Sequence, residues 1–281
     1  MVQMNSMLKP PYRALTSIAL FSSLALLALP SNLILAEPAG KTAPFAAADQ
    51  AFMAMKYEKA DSLYETISRS GPENADLLWK LSRLNISVAE SFSPREATRR
   101  MPYYTKAVEY ARKAVSIDST NAAAHTWLAA SLAVKADRIG TKEKLARAKE
   151  IKRELDKALA LNPHDDVAWS ILGSYYRQVS NIGWMSRLLG NTFVGRMPEG
   201  SPEAAEKAFK KAISLNPRAI RHYHELALLY IDQHRDQEAL QTLQIAVRKP
   251  ALMKSDLRRL DDIRELIKKL SEVQENRLGE G

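Results

Sequence analysis

The chain of 281 residues contains no cysteine. Disulfide frameworks, thiolate zinc sites, iron–sulfur clusters and thiol nucleophiles are therefore excluded, and a metal would have to rely on histidine and carboxylates. Glycine (10) and proline (13) are too few for a collagen-like or low-complexity chain. Runs of β-branched residues are absent, and no segment after residue 40 reads as a strand. Acidic residues are in deficit: 41 Lys and Arg against 32 Asp and Glu leave a net charge of +9, which favours acidic partners such as phospholipid headgroups, nucleic acid or acidic protein surfaces. At 46% hydrophobic and 26% charged, the composition is that of a folding chain, long enough for two ordinary domains or one elongated array.

The longest uncharged stretch lies at the amino terminus. Lys9 and Arg13 are followed by a charge-free segment from Ala14 to Ala36, densest in apolar residues between Ile18 and Leu29. This layout predicts a signal peptide over residues 1–36, with Ile34 and Ala36 at the minus-three and minus-one positions of an imperfect cleavage site, or a retained membrane anchor. Either places the protein outside the cytoplasm: exported, periplasmic or anchored. Residues 37–43 read as a linker, and the basic excess belongs to the folded part beyond them.

From residue 44 on, apolar residues recur at steps of three and four, the signature of amphipathic helices. Three segments resemble one another: KYEKADSLYETISRSGPEN, DKALALNPHD and EKAFKKAISLNPRA. A repeating frame of about 34 positions aligns them. Its position 8 is Ala48, Ser82, Ala129, Gly173 and Ala227; position 20 is Ala60, Ala107, Ile151, Ala205 and Ala239; position 27 is Ile67, Ala114, Ala158, Ala212 and Ala246. Small side chains are required where antiparallel helices approach closely, because a larger one would hold the axes apart. Leu81, Leu128, Leu172 and Leu226, with Tyr64, Leu155, Phe209 and Leu243, fill the spaces between. Pro72, Pro163 and Pro217 end one hairpin and turn into the next.

The frame resembles the tetratricopeptide repeat, most clearly at WSILGSYY from Trp169 to Tyr176. The fold class expected is all-α: a tetratricopeptide-like superhelix of about five helical hairpins over residues 44–254, with long insertions between the two helices of hairpins two, three and four. A capping helix over 255–276 and a short tail, 277–281, complete the chain. Leu257, Leu260, Ile263, Ile267 and Leu270 form the apolar stripe of the cap, whose charged face reads as solvated. Ser93, Pro94 and Glu96 predict a capping box opening the second helix of hairpin two, Gly140 and Thr141 the turn of hairpin three, and Ser201 and Pro202 the restart in hairpin four.

Several stretches go further and resemble the regulators of microtubule dynamics: LLWKLSRL at Leu77 to Leu84, KALALNPHD at Lys157 to Asp165, and GWMSRLLGNTFVGRMP at Gly183 to Pro198. The resemblance spans roughly residues 45 to 270, with the fourth insertion its most specific element. It implies a helical domain that acts by binding, as a microtubule-associated or membrane-contact adaptor. Tubulin enters as a partner through this resemblance alone. The amino terminus departs from the family in looking like a bacterial secretory signal.

No catalytic constellation emerges: there is no phosphate loop, nucleophile elbow or dinucleotide fingerprint, so no cofactor is expected and the chain does not read as an enzyme. Of the five histidines only His222 and His224 are close, and residues two apart on a helix diverge by about 200°. Binding by the inner helices is the better prospect. The frame turns Trp79, Arg83, Ser170, Ser174, Arg177, Arg221 and His224 toward the concave groove. Guanidinium groups recognise carboxylates and phosphates bidentately, so the groove suits an acidic peptide or partner protein. The second candidate is the 178–200 insertion, where Trp184 and Phe193 interleave with Arg187 and Arg196 as a basic amphipathic element suited to an acidic phospholipid or membrane surface. Nucleic acid is disfavoured, because Lys and Arg are dispersed through the helices.

Overall fold

The computed structural model describes residues 43–188 and 200–279, with side chains over 44–181 and 200–275. The expected signal or anchor segment, and Phe193 and Arg196, lie outside the described residues. Among those described, every regular element is a helix. A short turn at Ala43–Phe45 leads into α1 (Ala46–Met53), α2 (Tyr57–Ser70), α3 (Ala75–Ser91), α4 (Ala97–Ile117), α5 (Ala122–Ile139) and α6 (Thr141–Leu161). Beyond them lie α7 (Asp166–Leu188), α8 (Pro202–Leu215), α9 (Ile220–Asp232), α10 (Asp236–Ala246) and α11 (Lys254–Gly279). No described helix is long and apolar enough to cross a membrane.

Consecutive helices pair as five hairpins, and each hairpin packs against the next. The starts are set by side-chain caps. Asn74, Asn121, Asp165 and Ser201 accept from the backbone N–H of Leu77, Ala124, Ala168 and Ala204 at 2.9–3.1 Å. Such caps satisfy amide donors that a helix cannot satisfy itself. Helices α3, α5, α7 and α9 contact one another in series and form the inner wall.

The small residues of the repeat lie where the hairpins close. Ala48, Ser82, Ala129 and Ala227 are completely buried, and so are Tyr64, Leu155, Phe209 and Leu243 between them. Gly173 is the tightest case, since a Cβ there would stand 2.6 Å from the buried Phe209 ring.

The insertions of hairpins two and three take the form of longer helices. α3 and α4 have 17 and 21 residues and α5 and α6 have 18 and 21, against 13 and 11 in α9 and α10. Gly140 alone turns α5 into α6, at a φ of 127° that disfavours any residue with a Cβ. The second hairpin corrects the expected helix start. Ser93 N–H does donate to the Glu96 carboxylate at 2.9 Å, but this closes a separate turn, and α4 begins only at Ala97. The reason is that Glu96 stands just before the helix, its carbonyl accepting from Arg99 and Arg100.

α11 lays Ile263 and Leu260, with Leu266, Ile267 and Leu270, against the fifth hairpin. Its first turn contradicts two expectations: Leu257 is 57% exposed, and the neighbouring charged residues are not simply solvated. Arg258 turns inward and donates to the carbonyls of Glu90 and Phe92 at 2.9 and 3.0 Å. The last carbonyls of a helix lack internal donors and carry partial negative charge, so the end of α3 attracts a guanidinium. Arg100 does the same from α4, donating to Ala89 O at 3.0 Å.

The side chain of Glu90 completes this junction. It lies 2.6 Å from the Arg100 guanidinium, accepts the Tyr104 hydroxyl, and faces Arg258 at 3.4 Å and Arg138 at 3.5 Å. Burial pushes the Glu90 carboxyl up, but the Tyr104 hydrogen bond and the arginines outweigh it and hold the group below its ordinary value. Beside this contact Met253 packs into the cluster of the first hairpin, and Lys254 N–H donates to the Tyr57 hydroxyl at 3.2 Å. The cap thus spans the inner side and touches the first two hairpins.

Gly173→Ala should lower the unfolding free energy by about 1–3 kcal/mol, measured by urea denaturation, because the Phe209 ring has nowhere to retreat. Glu90→Gln should lower it by roughly 3 kcal/mol by stranding the buried Arg100. The depressed carboxyl adds stability that is complete above its unfolded value of 4.5 and lost as pH falls through the folded value, so the variant should show a flatter acid limb in melting temperature.

Candidate functional site

Each inner helix carries polar groups at its contact with the next. Asp49 of α1 receives Lys80 at 2.6 Å and Arg83 at 2.9 Å from α3. Asp76 accepts from Asn121 at 2.9 Å, Asp165 from Thr126 at 2.7 Å, and Asp166 faces His222 at 2.8 Å. Between α7 and α9, Ser174 donates to Glu225 at 3.2 Å, and Arg177 pairs with Asp232 at 2.6 Å and Glu225 at 3.6 Å. These bonds run between neighbouring hairpins and staple the stack along its inner side.

The expected groove residues therefore divide. Arg83 pairs with Asp49 and stands over the Phe52 ring at 3.9 Å, its Nε buried without a partner among the described residues. Trp79 donates its indole N–H to Asp76 at 3.0 Å and lies beneath Lys80, and Arg177 is held by its two carboxylates. Ser170 is fully buried and cannot meet a ligand in the groove, because the close approach of α7 to its neighbours covers it. Trp184 and Arg187 belong to the last turns of α7, beyond the described side chains, and Phe193 and Arg196 lie outside the described residues.

Arg221 differs. Its side chain keeps some contact with solvent but sits deep among the helices, where desolvation pushes its guanidinium below the ordinary arginine value. Even so, no hydrogen bond or ion pair reaches it among the described residues. One turn on, His224 also has burial holding its imidazole below the usual histidine value, and its Nδ1 has no partner among the described residues. The charges nearest these two groups are Glu225 on their own helix, Arg177 on α7, and Arg259, Asp256 and Asp262 on α11, with Glu90 also acting on Arg221.

Arg221 borders an open-mouthed cavity of about 280 Å³ lined by α5, α6, α7 and α9, with Ile86 of α3. Ala130, Ala133, Val134, Ile151, Ile171 and Val179 give it apolar surface, and Ser174, Tyr175 and Gln178 add polar groups to the lining. The charged members of its lining are largely committed: Lys144 and Arg138 to Asp137, Arg138 also to Glu90, and Arg177 to Asp232 and Glu225. Repeat position alone identified Arg221, but not the cavity, which exists because helices α5 and α6 are longer than the repeat requires. The arrangement offers a guanidinium and an apolar recess, which is binding chemistry. Among the described residues no group of three or more histidine, aspartate or glutamate side chains is placed to hold a metal.

Arg83→Ala and Arg177→Ala should each lower the unfolding free energy by about 1–2 kcal/mol, since each removes a charged hydrogen bond between adjacent hairpins while Lys80 and Tyr64 still serve Asp49 and Asn181 and Ser174 still serve Asp232 and Glu225. Arg221→Gln should leave it unchanged or raise it, because it removes a desolvated charge without a partner. Chemical denaturation of the three variants checks the contrast.

The solved structure of a thermophilic tetratricopeptide-repeat protein from Thermus thermophilus superposes with a TM-score of 0.57 at 18% identity, covering 82% of this chain and 98% of that one. That likeness shows the fold. Regulator of microtubule dynamics protein 1 of Pongo abelii is 27% identical over 216 residues, 76% of this chain and 68% of its own. The protein of the same name from Caenorhabditis elegans is 23% identical over 225 residues, 80% of this chain and 98% of its own. The chain covers only half of the Bos taurus relative, 50% of its length. The family model described as regulator of microtubule dynamics protein 1-3 matches residues 45–271, nearly the whole helical domain. The chain is a tetratricopeptide-like helical-repeat protein that belongs to the regulator of microtubule dynamics protein 1-3 family.

Proposed function

We propose that the protein is a non-enzymatic adaptor that binds an acidic segment of a partner protein on its inner face, next to α7 and α9. The observation that carries this reading is Arg221, a partly buried guanidinium with no hydrogen bond or ion pair among the described residues, on which Glu225, Glu90 and Asp256 act only at longer range. An incoming carboxylate would meet it with two parallel hydrogen bonds. Arg83 and Arg177 frame the face and keep the hairpins in register, which assigns them a structural part in binding. The relatives' names speak of microtubule dynamics, and tubulin is a partner to test on that ground alone.

A second reading, an acidic phospholipid held by the groove and the 178–200 insertion, draws on the apolar walls of the cavity. Its volume of about 280 Å³ disfavours two acyl chains, since pockets for drug-sized ligands begin near ~300 Å³. Export or anchoring through residues 1–36 remains part of the proposal and would place the partner outside the cytoplasm.

The purified protein should bind a glutamate-rich synthetic peptide and not its lysine-rich counterpart, with affinity falling as salt rises. Arg221→Glu should abolish the binding. Equal binding of both peptides, or an unaffected Arg221→Glu variant, would remove Arg221 from the site. Native mass spectrometry that finds one phospholipid per chain would favour the second reading.

A further inference from the structure

The outer helices carry a basic patch that the stack does not use. Lys142, Lys149, Arg153 and Lys157 are all exposed on α6 and, at 3.6 residues per turn, fall within an arc of about 80° that runs about 22 Å along the helix. α8 continues the patch. With Ala158 and Ala212 at the same buried repeat position, Lys207 and Lys211 stand where Arg153 and Lys157 stand one hairpin earlier, and both are exposed. Lys149 and Arg153 line the same hollow as Ser201 and Ala204, which sets the two helices side by side. At the equivalent positions Glu109 on α4, and Gln241 and Ile245 on α10, end the patch on either side. The carboxylates of α6 and α8 are largely committed. Glu143 and Glu150 take Arg147, Glu150 also takes Arg112, Glu154 takes His125 and Arg153, Asp156 takes Lys152, and Glu206 takes Lys210 and Arg235. Glu203 has no cation and engages the Ser201 side chain and its own amide. Lys142, Lys149, Lys157, Lys207 and Lys211 have no ion pair among the described residues, so five ammonium groups stand against Glu203 alone.

The kind of charge narrows the partner. All but Arg153 of these cations are lysines, compact charges without the planar fork that grips a single carboxylate or phosphate. No large apolar side chain is exposed between Lys142 and Lys157 or on α8, so the patch offers nothing to a hydrophobic groove or to the acyl region of a bilayer. The charges also extend in two directions, along α6 and across to α8. An acidic peptide following one helix would leave the other unanswered, whereas a plane of anionic headgroups meets both at once. We propose that the outer face of α6 and α8 docks on an anionic lipid bilayer, held at headgroup level by charge and without insertion. This surface is separate from the inner-face site, and it takes no lipid out of the bilayer.

The test is sedimentation of the full chain with two kinds of vesicle, phosphatidylcholine alone and phosphatidylcholine mixed with phosphatidylserine in equal parts. The mixed vesicles should bind about a hundredfold more tightly, and the preference should fade as salt rises. Lys149→Gln, Lys157→Gln, Lys207→Gln and Lys211→Gln together should weaken binding to the mixed vesicles by about a hundredfold, at about fivefold or less for each charge. The melting temperature should not change, since none of the four holds an ion pair among the described residues. A control removes the same charge elsewhere: Lys56→Gln, Lys59→Gln, Arg218→Gln and Arg248→Gln, exposed cations likewise without ion pairs, should together weaken binding by less than about fivefold. Any attachment through residues 1–36 is common to all three proteins. Equal affinity for the two vesicles, an unaffected α6–α8 variant, or a control that falls as far as that variant each overturns the inference. If the α6–α8 variant instead keeps the vesicles and loses the glutamate-rich peptide, the face belongs to an acidic protein segment and the bilayer reading is wrong.

Discussion

Glu90 is where the carboxy-terminal helix α11 is fastened to the second hairpin of the array. It stands in the last turn of α3, and the helix end behind it presents carbonyls with no donors of their own. Arg100 from α4 and Arg258 from α11 answer both the carbonyls and the carboxylate, and Arg138 of α5 adds a third guanidinium. Four helices from different parts of the chain are thereby held at one point. Without a carboxylate there, the guanidinium of Arg100, only 1% exposed, would be buried alone, a penalty of several kcal/mol. The junction also sets the position of the cap, and so decides how much of the inner face α11 covers.

Along that inner face the polar side chains serve the stack before they serve a ligand. A single Asp, Asn, Thr or Ser at each hairpin contact binds the next hairpin, and the pairs between α1 and α3 and between α7 and α9 add arginine. Arginines that look free in sequence are thus mostly paired in the folded state. What distinguishes Arg221 is that the carboxylates acting on it, Glu225, Glu90 and Asp256, do so without a hydrogen bond or ion pair among the described residues.

The hairpin lattice is readable from sequence because it depends on side-chain size at fixed intervals, and size is visible in a single chain. Ala48, Ser82, Ala129, Gly173 and Ala227 all occupy the tight crossings that the frame assigns them. The counter-ions are not readable in the same way, because a frame aligns residues within a repeat whereas Asp49, Asp232 and Glu225 act on the neighbouring one. One signal does lie in the sequence. Arg100, Tyr104, Ala107, Ala111 and Ala114 lie at helical spacing and are all buried, so carrying the apolar stripe of α4 one step back reveals an arginine in need of an acid. Leu257 departs from its expected place for a related reason: the docking of Arg258 at α3, a distant contact, sets the rotation of the first turn of α11.

Linear repeat arrays usually melt from their ends, with each unit answering only to its neighbours. Here the amide of Lys254 meets the hydroxyl of Tyr57 across 197 positions of chain, and α11 also packs on α3, so the first two hairpins answer to the last helix as well as to their neighbours. Additive, unit-by-unit energetics should give way to all-or-none behaviour. Because closing so long a loop is entropically unfavourable until the intervening hairpins are formed, the fastening of α11 belongs to the last stage of folding. A fragment cut at any repeat boundary would lack that fastening, and its properties would not be those of the corresponding part of the whole.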